Sequence, residues 1–412
     1  MSDADSIRGN RAEAGDVIEK KPSSDGDNDV HEGLVEIHDN ADQLKRHLGN
    51  RQVQLIAVGG SIGTALFVSI GNGLMAGGPG SLFLAYTLYT CLLGLVNNCM
   101  AEMAVYMPVS GSFIRMAGKW VDEAFGFMAG WNFFLYEATL IPFEISALNL
   151  VLTFWRDDIP VAAVCAACVA LYALLNIFAV QYYGEAEFWL SSGKFLLILV
   201  VFCFTFVTMV GGNPQRDAYG FRYWADPGSF AEHIATGALG RFEGFLAALF
   251  SAAFTCVGPE YLAMVAGETE RPRKYLKQAF KTVYWRFGFF YIFGALAVGI
   301  IVPSTDPKLS ANSGSGTASA SPYVVAMQNM GVEVLPHLAN ALLVTSIFSA
   351  GNAYTYCAMR SLYGLALDGQ APRVFRRCTR TGIPWAAFVV TMLFSLLSFL
   401  AVSSGTAQAV QW

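Results

Sequence analysis

The feature that most constrains this chain is a succession of apolar runs, each about 20 to 28 residues long. Nine such runs follow one another, at 53–76, 81–106, 125–154, 160–180, 186–210, 242–266, 283–302, 334–358 and 383–402. A helix rises 1.5 Å per residue, so about 20 apolar residues cross a hydrocarbon core some 30 Å thick. A buried helix of a soluble protein could explain one run, but not nine in succession. The sequence therefore predicts an all-α polytopic membrane protein with about nine transmembrane helices.

Composition agrees with this prediction and divides the chain into two parts. Hydrophobic residues make up 54% of the chain and charged residues only 14%, whereas a soluble domain has roughly a quarter charged residues. Residues 1–50 hold 12 acidic and 6 basic residues, with no Phe, Tyr or Trp and no apolar period. We expect residues 1–50 to form a disordered, acidic cytosolic tail and residues 51–412 to form the transmembrane domain, which has a net charge of only +1.

The positions of Lys and Arg between the runs predict the orientation. Bases gather on the side that holds the N-terminus, at Arg115, Lys119, Arg271, Arg273, Lys274, Lys277, Lys281, Arg286, Arg360, Arg373, Arg376, Arg377 and Arg380. The opposite side receives fewer, at Arg156, Arg216, Arg222, Arg241 and Lys308. Because bases concentrate on the cytosolic side of a membrane, an N-terminus in the cytosol is expected.

Two runs contain residues that interrupt a helix. The first contains GGSIGT (Gly59–Thr64) and the sixth contains FTCVGPE (Phe254–Glu260), where Pro259 has no backbone N–H. Non-helical backbone at membrane depth is tolerated only where it lines a protein-enclosed cavity, and paired interruptions in two inverted repeats indicate a transporter's central site. Freed N–H groups favour a carboxylate and freed carbonyls favour an ammonium group, which suits an amino acid. Close helix packing through small residues is the alternative explanation of the glycines.

Five separated segments carry a resemblance to a known family. They are GGSIGTALFV (59–68), GGPGSLFLAY (77–86), AEMAVYMPVSGSF (101–113), EFWLSSGKFLLIL (187–199) and VAGETERPRKYLKQAF (265–280). In this order they resemble the fungal amino-acid permeases of the amino acid–polyamine–organocation superfamily, over most of residues 50–402. The resemblance implies a LeuT-like inverted-repeat transporter fold and the uptake of amino acids with protons.

The same resemblance implies which residues bind the substrate. Its carboxylate-binding turn falls on Ser61, Ile62, Gly63 and Thr64. The segment that receives the substrate's amino group falls on Phe254, Thr255, Cys256, Val257 and Gly258. Ala65 stands where the family commonly has a second Gly, and Pro259 where it commonly has a small residue, so we expect a stiffer turn and an altered substrate preference.

Ionisable residues inside the runs are candidates for function because a charge at membrane depth is costly. Lys194 lies deep in the fifth run, where burial disfavours its charged form and could let it gain and lose a proton. The resemblance implies the same role, since some proton-coupled relatives have a lysine here; a side chain that extends its ammonium group to the membrane surface is the alternative. Glu260 directly follows the second interruption and could pair with Lys194 or carry a proton. Glu137 and Glu144 share one helix face. They could favour a cationic substrate or cap neighbouring helices, and the sequence does not separate these interpretations.

The leading hypothesis is a secondary transporter that imports amino acids by proton symport with alternating access. One alternative is an amino-acid sensor with the form of a transporter. The other is an inactive, shortened permease, since the family has twelve spans and nine spans leave the second repeat incomplete. No enzyme, cofactor, metal or nucleic-acid partner is predicted. The partners expected are the amino acid, protons and the bilayer, and the expected location is the plasma membrane.

Overall fold

The computed structural model describes Leu44, Arg46 and residues 48–402, except for 157, 178–179, 310–320 and 380–381. The predicted acidic tail, residues 1–50, therefore lies almost entirely outside the described residues. Within the described residues the chain is helical, and its one β-bridge is the isolated pairing of Leu48 with Thr269. The prediction of an all-α protein is confirmed.

Thirteen α-helices are described. They are α1 (Asn50–Ser61), α2 (Ile70–Tyr106), α3 (Ser112–Trp120), α4 (Glu123–Leu152), α5 (Val161–Ile177), α6 (Val180–Met209), α7 (Gly237–Thr255), α8 (Pro259–Met264), α9 (Pro272–Arg286), α10 (Phe293–Ile301), α11 (Pro322–Asn329), α12 (Leu335–Leu367) and α13 (Trp385–Ser395). Segments of π-helix, Ala65–Ser69 and Phe287–Ile292, lead into α2 and α10. A 3-10 helix, Leu396–Val402, continues α13.

These helices lie over each of the nine predicted runs. Six continuous helical stretches within the described residues are long and apolar enough to cross a membrane. The apolar α5 is shorter, at 17 residues, and α12 is 33 residues long. Helices α3 and α11 lie between the predicted runs, where the sequence suggested no span.

The long helix α12 forms the centre of the bundle. Every side chain from Ser349 to Ala366 is buried, and α12 packs most extensively against α4. A helix that is buried around its whole circumference belongs to a core. By contrast, α6 exposes Leu199 and Phe206 on its outer face, which is the pattern of a helix that faces lipid tails.

A sharp turn separates the first two predicted runs without a loop. Gly78 has φ of 77° within α2 and is followed by Pro79. A Cβ atom on Gly78 would lie 2.9 Å from the Ser229 carbonyl oxygen, so both the backbone conformation and the available space require glycine. The Gly80 N–H donates to the same Ser229 carbonyl at 2.7 Å. The stretch Ala65–Gly77 is therefore a half-helix that begins at the first interruption and ends at this turn.

Arg360, at the end of the bundle where α1 begins, lies in a different place from the one predicted from the sequence. The sequence placed Arg360 in a loop, but α12 continues to Leu367 and Arg360 is only 2% exposed. Its Nε donates to a carboxylate oxygen of Glu268, and its guanidinium carbon lies 4.6 Å from the centre of the Tyr356 ring. The long apolar stem and the buried partner allow a charged residue to continue the buried helix.

The segment before α1 is fastened to the same region. The Leu48 N–H donates to the Glu268 carbonyl at 3.0 Å, and the Glu270 N–H donates to the Leu48 carbonyl at 3.1 Å. Leu48 is fully buried. Glu268, which follows α8, thus joins two other parts of the chain. Its side chain binds α12, and its backbone carbonyl binds the segment that enters α1.

We expect Arg360→Met to destabilise the fold strongly, because it leaves the buried Glu268 carboxylate without its cation. Removing one member of a buried ion pair costs about 3–5 kcal/mol. The free energy of unfolding in detergent measures this effect, and Arg222→Met is the matched control. Arg222 binds Asp217, and both side chains are more than 40% exposed, so water takes over the role of the lost partner. Equal stability of the two variants would contradict a structural role for the Arg360–Glu268 pair.

Candidate functional site

The first interruption lies where the sequence placed it. Helix α1 ends at Ser61, Ile62 is extended (φ −124°, ψ 101°), and helical geometry resumes at Thr64. The Ser346 hydroxyl donates to the freed Ile62 carbonyl at 3.4 Å. A helix broken here has backbone groups without intrahelical partners, and side chains of neighbouring helices bind several of them.

The second interruption separates α7 from α8. Cys256, Val257 and Gly258 are non-helical, and Gly258 has φ of 155°, which favours glycine. Pro259 then starts α8 at the position where a missing N–H costs nothing. Glu260 folds back over the break, because its Oε1 accepts a hydrogen bond from the Gly258 N–H at 3.0 Å.

One tyrosine hydroxyl connects the two breaks. Tyr291, in the π-helical segment before α10, places its hydroxyl oxygen 2.8 Å from the Ser61 carbonyl oxygen and 2.7 Å from that of Val257. The Val257 N–H also points to this hydroxyl at 3.4 Å. A second tyrosine, Tyr86, donates to the Thr255 hydroxyl at 2.9 Å and so holds the end of α7.

A narrow cavity lies between the breaks. Its walls come from α1, the Ala65 segment, α4, α7 and α12, with lining residues Ser61, Gly63, Ala65, Tyr136, Leu140, Phe143, Glu144, Phe254, Thr255, Val257 and Tyr354. About 10 Å³ is open to the centre of a water molecule, roughly the room for one water. An amino acid can therefore enter only if this site widens.

Glu144 reaches across the cavity to the first break. Its Oε2 accepts from the Thr64 hydroxyl at 2.5 Å, and its Oε1 accepts from the Thr64 N–H at 3.4 Å. Glu144 is 2% exposed. The donors that the sequence assigned to a substrate carboxylate are thus bound to a carboxylate of the protein. Of the two sequence-based interpretations, capping of a neighbouring helix describes this contact.

Lys194 is completely buried beside two carboxylates, Glu187 and Glu144, whose charges act on its ammonium group. Glu187 accepts hydrogen bonds from Ser191 at 3.1 Å, from Asn352 at 3.4 Å and from Ser349. Asn352 donates to Glu187, and the charges of Glu187 and Glu144 act on Lys194, so we call these four residues of the apolar core the buried polar line. Such groups are tolerated at this depth because they are paired and hydrogen-bonded.

Glu137 on α4 and Glu260 on α8 are two further acidic residues of this region. Glu137 is completely buried, and neither of its carboxylate oxygens has a hydrogen-bond partner of normal geometry among the described residues. The nearby groups include the Tyr261 hydroxyl and the Glu260 carboxylate. Glu137 does not line the central cavity, whereas Glu144 does. The seven-residue spacing put both acids on one face of α4, but only Glu144 caps a neighbouring helix.

Two polar residues of this region, Glu187 and Tyr291, were not predicted from the sequence. Glu187 lies inside a segment that resembled the family, at the start of a predicted run, and no role was predicted for it. Tyr291 gave no signal, because an aromatic residue in an apolar helix is ordinarily part of the core. The carboxylate of Glu187 at helical spacing from Ser191 and Lys194 could have indicated the first residue; the carbonyl contacts of Tyr291 required the fold.

We expect Gly63→Ala to destabilise the protein by about 1–3 kcal/mol, the usual range for overpacking. The added Cβ would lie 2.8 Å from the Ala350 Cβ and 2.9 Å from Glu144 Oε1, and Ala350 belongs to the buried α12. Gly288→Ala is the matched control, because a Cβ there meets nothing within 4 Å. The free energy of unfolding in detergent is the measurement. A Gly63 variant as stable as the Gly288 variant would show that the packing of Gly63 against Ala350 and Glu144 is not tight.

Comparison with known proteins agrees with this architecture. A solved structure of a Na⁺-coupled sialic acid symporter, in a substrate-bound outward-open state, superposes with a TM-score of 0.51 at 12% identity, over 88% of this chain and 73% of that one. The likeness shows the fold alone, a LeuT-like helical transporter fold, and confirms the fold expected from the sequence.

Sequence relatives are closer. The chain is 46% identical to the general amino acid permease AGP2 of Saccharomyces cerevisiae, over 90% of this chain and 63% of that protein. It is 39% identical to the proline-specific permease of Emericella nidulans, over 94% and 70%. It is 38% identical to the dicarboxylic amino acid permease of S. cerevisiae, over 89% and 61%. The chain thus spans roughly two thirds of the length of these curated relatives, which are transporters rather than enzymes.

The family described as "Amino acid permease" matches residues 52–412, which contain both helix breaks, the cavity between them and the buried polar line. Together with the relatives, this match shows that the chain belongs to the amino acid permease family of integral, multi-pass membrane proteins.

Proposed function

We propose that this chain is a secondary active transporter that imports amino acids by proton symport, with alternating access around the two helix breaks. The substrate is an amino acid and the coupling ion is a proton. We place the protein in the plasma membrane with its N-terminus in the cytosol. The relatives named above are described as general, proline-specific and dicarboxylic permeases, so the choice among amino acids is left to experiment.

The two breaks offer the two kinds of backbone group that an amino acid requires. We assign the substrate carboxylate to Ser61, Ile62, Gly63 and Thr64. We assign its amino group to the segment Phe254, Thr255, Cys256, Val257 and Gly258. The end of a helix favours a cation at its carbonyls, and the start of a helix favours an anion at its N–H groups. The break at Ile62 and Gly63 contains both kinds of helix end.

Coupling to a proton is assigned to Lys194. Two observations support this proposal: the Thr64 hydroxyl and N–H donate to Glu144, and the charge of Glu144 acts on the buried Lys194. A substrate carboxylate that displaces Glu144 from Thr64 leaves Glu144 free to act on Lys194. Binding at the break and protonation of Lys194 then share one side chain, which is the linkage that symport requires.

Glu260 and Glu137 are assigned to the movement of the proton on the α8 side of the site. Glu260 is partly exposed, whereas Glu137 is buried without a hydrogen-bond partner among the described residues. A buried, unpartnered carboxylate beside another carboxylate is most stable when it holds a proton. We therefore assign Glu137 to carrying a proton rather than to contacting a cationic substrate.

The proposed activity is tested by uptake of radiolabelled amino acids into permease-deficient yeast cells and into vesicles that contain the chain. We expect uptake that requires expression and that rises when the outside is made acidic. Competition by acidic, basic, neutral and aromatic amino acids then defines the substrate. Uptake that responds to neither expression nor an imposed pH gradient would refute the proposal.

Lys194→Met should lower amino-acid accumulation driven by a pH gradient by at least about tenfold, because the methionine side chain cannot carry a proton. Exchange of labelled for unlabelled amino acid across vesicles without a gradient should persist. Lys308→Met makes the same chemical change at a position where the ammonium group donates to the exposed Asn329 side chain, and it should behave as wild type. Full gradient-driven accumulation by the Lys194 variant would remove this residue from the coupling mechanism.

A further inference from the structure

The hydroxyl of Tyr291 occupies the position that an ammonium group would take between the two breaks. Two backbone carbonyls, those of Ser61 and Val257, point to this one oxygen from 2.8 and 2.7 Å. We propose that Tyr291 is a specificity-determining residue whose hydroxyl stands in for the substrate's amino group, and that the arriving ammonium displaces it from these carbonyls. This inference rests on the proposed function and deepens it, since it concerns the same site.

A hydroxyl satisfies these two acceptors poorly. It has one proton, so it donates to only one of the two carbonyls at any moment. The other carbonyl is held 2.7–2.8 Å from the oxygen without receiving a hydrogen bond from it. A protonated amino group has two or three donors and satisfies both carbonyls at once. Hydrogen bonds from a charged donor are also roughly twice as strong as those from a neutral one.

The electrostatics of the two helix ends favour the same exchange. Ser61 is the last residue of α1, and Val257 follows the end of α7 at Thr255 by two residues. The C-terminal end of a helix carries a partial negative charge, so both carbonyls attract a cation. Tyr291 brings a neutral group to a position where the backbone favours a positive one.

The local structure around Tyr291 is compatible with movement of its side chain. Tyr291 belongs to the π-helical segment Phe287–Ile292, a form of helix that occurs often at functional sites because it departs from regular hydrogen bonding. Gly288 in the same segment has open space beside it. The proposed exchange requires this segment to withdraw the hydroxyl from the two carbonyls.

The opposite end of the cavity has a parallel arrangement. The carboxylate of Glu144 binds the Thr64 N–H and hydroxyl, which are the donors assigned to the substrate's carboxylate. The protein thus places its own carboxylate and its own hydroxyl on the two sets of groups that an amino acid would use. Ser61, Val257 and Glu144 all line the cavity, which has room for about one water.

The test is equilibrium binding to the purified full chain, with L-proline, L-glutamate and L-lysine as probes. Each is compared with its analogue that lacks the α-amino group: cyclopentanecarboxylate, glutarate and 6-aminohexanoate. We expect Tyr291→Phe to lower the Kd of the amino acid that binds wild type by about 3- to 10-fold, the effect of one removed competing hydrogen bond. The Kd of its analogue should not change.

Tyr86→Phe is the matched control. Tyr86 is also a buried tyrosine beside the second break, but its hydroxyl donates to the Thr255 side chain and not to a freed backbone carbonyl. This variant should therefore show no gain in affinity. If Tyr291→Phe does not fold, Tyr291→Met also lacks the hydroxyl, keeps a flexible apolar side chain, and has the same expected result.

The outcomes separate this inference from the proposed function. Wild-type protein that binds none of the amino acids refutes the proposed function and this inference with it. If wild type binds an amino acid and the Tyr291 variant binds it with equal or weaker affinity, only the proposed displacement of the hydroxyl is overturned. Tyr291 is then a structural link between the two breaks. An equal gain for the amino acid and its analogue also overturns it, because the gain would not depend on an ammonium group.

Discussion

The structure depends on one constraint: a backbone polar group inside a hydrocarbon layer needs a partner within the protein. Two helices nevertheless stop near their middles, at Ile62 and at Cys256. Side chains of neighbouring helices bind the backbone groups freed at the breaks. The Ser346 hydroxyl of α12 donates to the Ile62 carbonyl, and the Tyr291 hydroxyl lies within hydrogen-bond distance of the Ser61 and Val257 carbonyls. The buried α12 and the segment that carries Tyr291 are therefore required by the breaks, because without them the freed groups would face hydrocarbon.

Buried charges follow the same rule with a larger penalty. The charges of Glu187 and Glu144 act on the buried Lys194, and Arg360 binds Glu268 at the end where α1 begins. Glu144 lies on α4 and Lys194 on α6, and Glu268 is 92 residues from Arg360 in the chain, so these charges relate helices that are distant in sequence. Glu144 differs from the others because its carboxylate binds Thr64 at a helix break and its charge also acts on the buried Lys194.

Much of this arrangement could be predicted from single segments of sequence. The residue types in GGSIGT and FTCVGPE cannot sustain a regular helix, and the breaks lie where those types predicted them. Arg360 is a position where the local pattern gave a wrong prediction. The predicted run ended before this charged residue, although the helix that contains it continues. Burial of that arginine depends on Glu268, 92 residues away, and no local pattern contains that information. The sequence left open whether Glu260 pairs with Lys194 or carries a proton. Its carboxylate accepts from the Gly258 N–H, and Glu187 is an acid whose charge acts on Lys194.

The sequence by itself determined the all-helical membrane architecture, the positions of the two breaks and the presence of ionisable groups at membrane depth. These are local properties, because apolar length, glycine, proline and charge act within a few residues of the chain. Only the tertiary structure decided which polar groups meet: Glu144 with Thr64, Glu187 with Ser349 and Asn352, and Tyr291 with both freed carbonyls. Those pairings follow from the packing of helices that are far apart in sequence, where side-chain reach and the need to satisfy every buried polar group select the partners.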